Sequence, residues 1–303
     1  WAQSSRRATT PIAHLELPRG ALAPYARGPA VVGEHAYWVS RGRLVRRRWD
    51  GTGELQILRP DARTGTRVAG GGSTTPAVVA YVSAPNAEGI PQAKLWLEGV
   101  GSFDLTPEGS GSSSVALSQQ GDGWLAVSLD GRSGMTPLHA RRVLRKGNRV
   151  ALGADVVAWV GASAQPTTEV FTARVGREAW ALVPIERDVS HFGLAQVRLG
   201  AEPRMDAPAS FVPFLNGINS SPVASAQLCS TTAVLYARPS AADPHAPQEL
   251  VLTELSPDGL QPGRVVAHAK AFADASLTAV KGGGLLSYTA DYRTWAAAVR
   301  CRR

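Results

Sequence analysis

The densest group of residues that could bind a ligand is a run of arginines near the N terminus. Five arginines stand within eight residues, with no acidic residue among them: Arg41, Arg43, Arg46, Arg47 and Arg48. Guanidinium groups form charge-assisted, often bidentate contacts with oxyanions such as carboxylates. The run therefore predicts a site for an anionic partner, either an acidic protein surface or an acidic glycan. The alternative is a solvated strand face whose charges discourage pairing with another strand edge.

A second basic group lies in the middle of the chain and comprises Arg141, Arg142, Arg145, Lys146 and Arg149. If both groups lie on outer strands of neighbouring repeats, they would line one edge of the molecule. Aromatic residues are not interleaved with either group as single-stranded nucleic acids require, since Trp49 alone stands nearby. The composition therefore disfavours a nucleic-acid partner.

No stretch of the sequence carries a strong catalytic signature. None of the 6 histidines pairs with another histidine, a cysteine or a carboxylate motif at metal-ligand spacing. No Gly-x-Ser-x-Gly nucleophile elbow occurs. The carboxylates are sparse and stand mostly in turns, as Asp50, Asp130 and Asp258 do, rather than in converging pairs. We predict no catalytic residue, no metal site and no cofactor.

The 2 cysteines, Cys229 and Cys301, fit one disulfide bond in an oxidising compartment. The alternative is a pair of buried free thiols. A bond at Cys301 would stop the last strand from fraying. The chain starts at Trp1, which suggests that a targeting peptide has been removed, the alternative being a trimmed terminus. We expect a secreted, periplasmic or outer-surface protein.

Length and composition indicate one large globular unit. The chain has 303 residues, of which 44% are hydrophobic and 18% charged. Its net charge of +8 favours anionic partners in general. No run of 18 apolar residues is present, so no transmembrane segment is predicted. We expect a loose segment at residues 1–10 and a single domain at residues 11–303.

A short apolar strand with an aromatic residue inside it recurs along the chain. Taking Val39, Val82, Val127, Val160, Ala237 and Thr289 as markers, the steps are 43, 45, 33, 77 and 52 residues. The longest step is close to two ordinary ones, which suggests a hidden degenerate copy. A repeat of about 40–50 residues made of strands is typical of β-propeller blades. The aromatic residues of the repeat are expected to pack between blades.

The strand pattern predicts an all-β, seven-bladed propeller, with six blades as the alternative count. In this interpretation the fourth blade begins near Arg149, and residues 194–199 and 210–215 supply a degenerate fifth. The last blade lacks a fourth strand, and a lone strand at residues 12–17 is available to fill that place. Such closure would remove the open seam between the first and last blades.

The turn Ser256-Pro257-Asp258-Gly259 resembles the Ser-Pro-Asp-Gly turn of TolB-type blades. Together with the period, it makes the chain similar to bacterial β-propellers, broadly the TolB-like and WD40-like repeat proteins. The phased Trp-Asp ending of WD40 blades is absent, so the resemblance carries over no residue's role. We expect a non-catalytic binding or scaffolding propeller with a protein partner or larger assembly. A glycan hydrolase or lyase, and a glycan-binding lectin, are the alternatives.

Overall fold

A computed structural model of the chain contains 25 β-strands and, among the described residues, no helix. The described residues are 14–16, 29–70, 76–107, 109–130, 135–146, 149–162, 169–175, 178–188, 191–200, 202–205, 207, 209–213, 223–241, 246–280 and 282–301. The loose segment predicted at residues 1–10 lies outside them, as do parts of the stretches 201–209 and 240–248. The described residues include no helix that could cross a membrane.

The strands form six antiparallel sheets, the blades. The N-terminal strand is β1 (His14–Glu16). Blade 1 consists of β2 (Ala30–Val32), β3 (His35–Ser40), β4 (Arg43–Arg48) and β5 (Gln56–Arg59). Blade 2 consists of β6 (Ala69–Gly70), β7 (Val78–Val82), β8 (Ala93–Leu97) and β9 (Gly101–Asp104). Blade 3 consists of β10 (Ser114–Gln120), β11 (Gly123–Leu129), β12 (Met135–Lys146) and β13 (Arg149–Ala162).

Blade 4 consists of β14 (Phe171–Val175), β15 (Glu178–Asp188), β16 (His191–Arg198) and β17 (Ala209–Pro213). Blade 5 consists of β18 (Val223–Leu228), β19 (Thr231–Pro239), β20 (Gln248–Ser256) and an interrupted outer strand, β21 (Gly259–Leu260) with β22 (Arg264–Ala269). Blade 6 consists of β23 (Phe272–Val280), β24 (Gly283–Ala290), β25 (Arg293–Arg300) and β1 as its outer strand.

The first strand of each blade contacts the first strand of the next, and β2 also contacts β23, so the six inner strands surround one axis. Each blade begins with its inner strand, and these strands run in the same direction along the axis. We call the face where the inner strands begin the upper face, and the face where they end the lower face. The chain is a six-bladed β-propeller.

The prediction of seven blades is wrong, and one misplaced repeat explains the extra blade. The marker Val160 belongs to β13, the outer strand of blade 3, and not to the second strand of a new blade. β12 and β13 have 12 and 14 residues, so their hairpin is long enough to mimic the start of a blade. The strands assigned to a degenerate fifth blade are β16 and β17 of blade 4.

Apolar clusters join consecutive blades at five of the six junctions among the described residues: 1–2, 2–3, 3–4, 4–5 and 5–6. The predicted packing role of the repeated aromatic residues holds for Tyr81, Trp124, Tyr236 and Tyr288, which are buried. At the junction of blades 6 and 1, the hydroxyl of Thr278 donates a hydrogen bond of 2.9 Å to the Pro29 carbonyl oxygen.

The predicted disulfide bond between Cys229 and Cys301 is confirmed. Cys229 lies in the turn between β18 and β19 of blade 5, and Cys301 follows β25 of blade 6. Both positions are at the lower face, so the bond joins the last two blades there. A bond of this kind agrees with the expected extracytoplasmic location.

Candidate functional site

A central cavity of about 370 Å³ lies where the six inner strands surround the axis of the described propeller. Its wall takes one segment from each blade. In chain order these segments are residues 29–31, 67–70, 115–119, 170–174, 225–227 and 277–279. Pockets of roughly 300–1,000 Å³ are typical of small-molecule sites. The cavity therefore has the size of a ligand site on the propeller axis.

Arg67 crosses the upper end of this cavity. Its Nη2 donates a hydrogen bond of 3.0 Å to the carbonyl oxygen of Ala275 in blade 6. The same nitrogen lies 3.6 Å from Oε2 of Glu169, directly before blade 4, and the guanidinium carbon lies 5.5 Å from the centroid of the Phe171 ring. The side chains of Arg67 and Glu169 are only 14% and 15% exposed. One guanidinium thus joins blades 2, 4 and 6, the alternate blades of the ring.

The charged residues among the described lining of the cavity are Arg67 and Arg174. No aspartate, glutamate, histidine, lysine or cysteine occurs in that described lining. The polar remainder consists of hydroxyl and amide side chains, namely Ser118, Gln119, Thr172, Ser225, Gln227 and Thr278. This wall favours a negatively charged ligand and lacks the converging carboxylates that glycosidases use.

The structure distributes the predicted arginine run along one strand instead of gathering it. Arg41 lies in the turn between β3 and β4, at the upper face, with a positive φ of 49°, and Arg43 begins β4. Arg47 and Arg48 end β4 at the lower face. Six strand residues extend about 20 Å. The exposed arginines therefore form an upper pair and a lower pair.

Arg46 is the member of the run that the fold itself uses. Its guanidinium forms an ion pair with Glu98 of blade 2, donates to Oε1 of Gln56 at 2.7 Å and lies 5.8 Å from the Trp96 ring centroid. Burial would raise the pKa of Glu98, but hydrogen bonds from Arg46 and from the Ala77 amide outweigh it, and the pKa is lowered. Arg46 is thus a tie between blades 1 and 2.

The lower pair of arginines borders three large exposed apolar side chains. Trp49, Leu55 and Ile57 are 60%, 53% and 54% exposed. Arg47 donates from Nε to the Gly53 carbonyl oxygen at 2.9 Å, and Arg48 lies 2.9 Å from a Glu34 carboxylate oxygen and 3.4 Å from Asp50. We call Arg47, Arg48, Trp49, Leu55 and Ile57 the blade 1 edge. Sequence reasoning missed Leu55 and Ile57, although their alternation in an outer strand was a signal.

The second basic group is largely engaged within the ring. Arg141 donates to the carbonyl oxygens of Gly153 and, in blade 2, Leu105, at 2.8 and 3.0 Å. Arg142 donates to Glu202, which follows the third strand of blade 4, at 2.6 Å. These contacts join blade 3 to both of its neighbours.

One histidine has a carboxylate partner that the sequence did not reveal. Nδ1 of His139 lies 2.9 Å from Oδ2 of Asp155 across the β12–β13 hairpin, and Ser128 stands opposite His139 on β11. The adjoining void measures only about 10 Å³, too small for a substrate. Among the described residues, no group of three histidines, cysteines or carboxylates could hold a metal ion.

Comparisons with known proteins support the propeller fold and no family. No protein-family model and no curated protein sequence matches the chain. Among solved structures, a protein of unknown function from Dyadobacter fermentans is similar, with a TM-score of 0.61, 10% identity, and coverage of 99% of this chain and 100% of that one.

Two neuraminidase-like proteins are also similar in structure. The subtype N10 protein of A/little yellow-shouldered bat/Guatemala/060/2010 has a TM-score of 0.52, 8% identity and coverage of 97% and 100% of the two chains. The protein from A/bat/Guatemala/164/2009 has a TM-score of 0.52, 8% identity and coverage of 98% and 97%. At such identities the likeness concerns the fold alone.

The axial ion pair generates the first prediction. Replacing Arg67 with Met leaves Glu169 buried without its cation, so unfolding free energy should fall by about 3–5 kcal/mol. The double variant Arg67→Met/Glu169→Gln should recover part of this loss, with a coupling energy of about 1–3 kcal/mol in urea unfolding. Arg142→Met, which breaks a more exposed inter-blade pair, should cost about 1 kcal/mol or less. If the losses of unfolding free energy in the two single variants simply add up to the loss in the double variant, the ion pair between Arg67 and Glu169 is contradicted.

The second prediction separates Arg46 from its neighbour. Arg46→Ser should lower the unfolding free energy by about 1–2 kcal/mol at neutral pH, while Arg47→Ser should change it by about 0.5 kcal/mol or less. Because the pKa of Glu98 is lowered, its contribution is complete above the ordinary value of 4.5 and is lost as the pH falls through the lowered value. The difference between wild type and Arg46→Ser should therefore shrink in acid. A difference independent of pH would contradict this role.

Proposed function

We propose that this propeller is a non-catalytic binding protein of the cell envelope or exterior, which holds an acidic protein partner within a larger assembly. The observation that carries the proposal is the blade 1 edge. Trp49, Leu55 and Ile57 are each more than half exposed, and Arg47 and Arg48 stand beside them. Tryptophan and arginine are the residues most enriched where interfaces gain their binding energy.

The composition of this edge specifies the kind of partner. The apolar side chains would lose water on contact, and Arg47, which has no ion pair among the described residues, would pair with a carboxylate. Arg48 stands beside it and already pairs with Glu34 and Asp50. A protein surface with acidic residues around apolar ones complements both features. An acidic glycan complements the charge alone, because it offers little apolar area to Leu55 and Ile57.

The rigid ring suits a scaffolding role better than a catalytic one. The described wall of the central cavity holds two arginines and no carboxylate, so the glycan hydrolase or lyase gains no support from converging acids. The disulfide bond between Cys229 and Cys301 supports the extracytoplasmic location.

The third prediction tests the edge with defined probes: a soluble peptide rich in glutamate and leucine, polyglutamate, polygalacturonate and neutral dextran. At low salt the Glu/Leu peptide should bind best and dextran should not bind. Arg47→Ser/Arg48→Ser should weaken peptide binding by roughly tenfold. Trp49→Ala/Ile57→Ala should weaken it similarly, at unchanged melting temperature. Arg41→Ser/Arg43→Ser removes the same charge from the upper face and serves as the matched control.

The outcomes separate the alternatives. If the upper-pair and lower-pair arginine variants lose the same peptide affinity, the whole arginine run acts only through its charge. Tighter binding of polygalacturonate than of the peptide would favour the glycan. Release of reducing ends from polygalacturonate would contradict a non-catalytic role.

We further propose that β1 seals the ring. His14, Leu15 and Glu16 pair with Ala297, Ala296 and Trp295 of β25, which makes β1 the outer strand of blade 6. Removing it would leave the backbone groups of β25 without partners along one edge.

The fourth prediction concerns this strand. Deletion of residues 1–18 should lower the melting temperature and raise the tendency to aggregate, since it exposes a strand edge. Deletion of residues 1–10 spares β1 and serves as the control, which should melt like the full chain. If both truncated proteins have the same melting temperature as the full chain, β1 does not seal the ring.

A further inference from the structure

The lower end of the central cavity is lined by an arginine, Arg174, that forms no ion pair with the described residues of the ring. Arg174 lies near the end of the inner strand β14 and lines the cavity, and it is exposed. In the part of the chain that the structure describes, its guanidinium has no ion-pair partner. Arg67, at the upper end, has Glu169 within 3.6 Å. The two charged residues of the wall therefore differ in that only the lower one remains available to a ligand.

A buried threonine of the next blade holds Arg174 in place. The backbone amide of Arg174 donates to Oγ1 of Thr232 at 3.2 Å, and the same hydroxyl oxygen lies 2.8 Å from the Arg174 carbonyl oxygen. Thr232 is only 1% exposed, so this contact is part of the rigid junction between blades 4 and 5. The base of the Arg174 side chain is thereby fixed, although its guanidinium reaches solvent.

The same threonine contacts a second polar residue of the wall. Oγ1 of Thr232 lies 3.0 Å from Oε1 of Gln227, which also lines the cavity. The hydroxyl has a single hydrogen, which the carbonyl oxygen of Arg174 and the amide oxygen of Gln227 share as acceptors. Arg174 and Gln227 therefore lie side by side on adjacent inner strands.

We propose that the lower end of the central cavity binds a small organic oxyanion, with Arg174 holding its charged group beside Gln227. The planar guanidinium matches the two oxygens of a carboxylate or phosphate group. Val31, Phe171 and Leu277 supply apolar wall for a compact hydrophobic body. The cavity volume of about 370 Å³ suits a molecule of a single ring and its anionic substituent.

This site is independent of the proposed partner surface. The blade 1 edge lies on the outer strands of blade 1, whereas Arg174 lies on the inner strand of blade 4. Variants of Arg174 should therefore leave binding of the Glu/Leu peptide unchanged.

The experiment is calorimetric titration of the intact protein with benzoate, phenyl phosphate and benzamide. Benzoate and phenyl phosphate distinguish the carboxylate from the phosphate, and benzamide has the same ring without the charge. At least one anion should bind, and benzamide should bind at least tenfold more weakly. Arg174→Gln should reduce anion affinity on the order of tenfold or more, and Arg174→Lys should restore part of it.

Arg198→Gln is the matched control, because Arg198 stands on the same blade, outside the cavity, and is paired with Glu178. It should bind the anions as the wild type does. The proposal is overturned if benzamide binds as well as the anions, if no anion binds at about 10 mM, or if Arg174→Gln and Arg198→Gln have equal effects.

Discussion

The guanidinium of Arg67 is the contact on which the centre of the ring depends. Inner strands of a propeller meet their neighbours edge to edge around an axis, so residues of alternate blades do not ordinarily touch. Arg67 is long enough to reach from blade 2 to the Ala275 carbonyl of blade 6 and to Glu169 before blade 4. Because both charged groups are largely buried, the loss of either one removes a buried ion pair from the other.

Other arginines repeat this arrangement farther from the axis. Arg46 joins blade 1 to Glu98, Arg141 joins blade 3 to the carbonyl of Leu105, and Arg142 joins blade 3 to Glu202. A guanidinium suits such junctions because it offers five donors in a fixed plane and stays charged when partly buried. Arg46, Arg67, Arg141 and Arg142 therefore serve cohesion between blades. Arg47 and Arg174, by contrast, have no ion pair among the described residues and remain for partners.

The junction of blades 6 and 1 differs in kind from the other five. Those five carry apolar clusters among the described residues, whereas here the described contacts include the hydrogen bond from Thr278 to Pro29. The disulfide bond reinforces the neighbouring junction, between blades 5 and 6. The two chain ends meet in blade 6, where β1 pairs with β25. Blade 6 is thus secured by the disulfide bond and by backbone pairing with β1, in addition to its apolar packing against blade 5.

The strand content and the repeat followed from sequence because they are local. Alternation, aromatic placement and turns such as Asp50-Gly51 depend on residues a few positions apart, and they predicted an all-β propeller. The pairing of Cys229 with Cys301 could also be inferred, since no other cysteine was available.

The blade count and the sites required the tertiary structure. Val160 has the pattern of a second strand, and only its pairing with Pro137 on β12 shows that it closes blade 3. Arg46 and Arg47 are adjacent and chemically identical, yet one is committed to Glu98 and the other faces solvent, because the pleat directs them to opposite faces of the sheet. Arg67, Arg174 and Gln227 belong to blades 2, 4 and 5, and the closure of the ring alone brings them to one cavity.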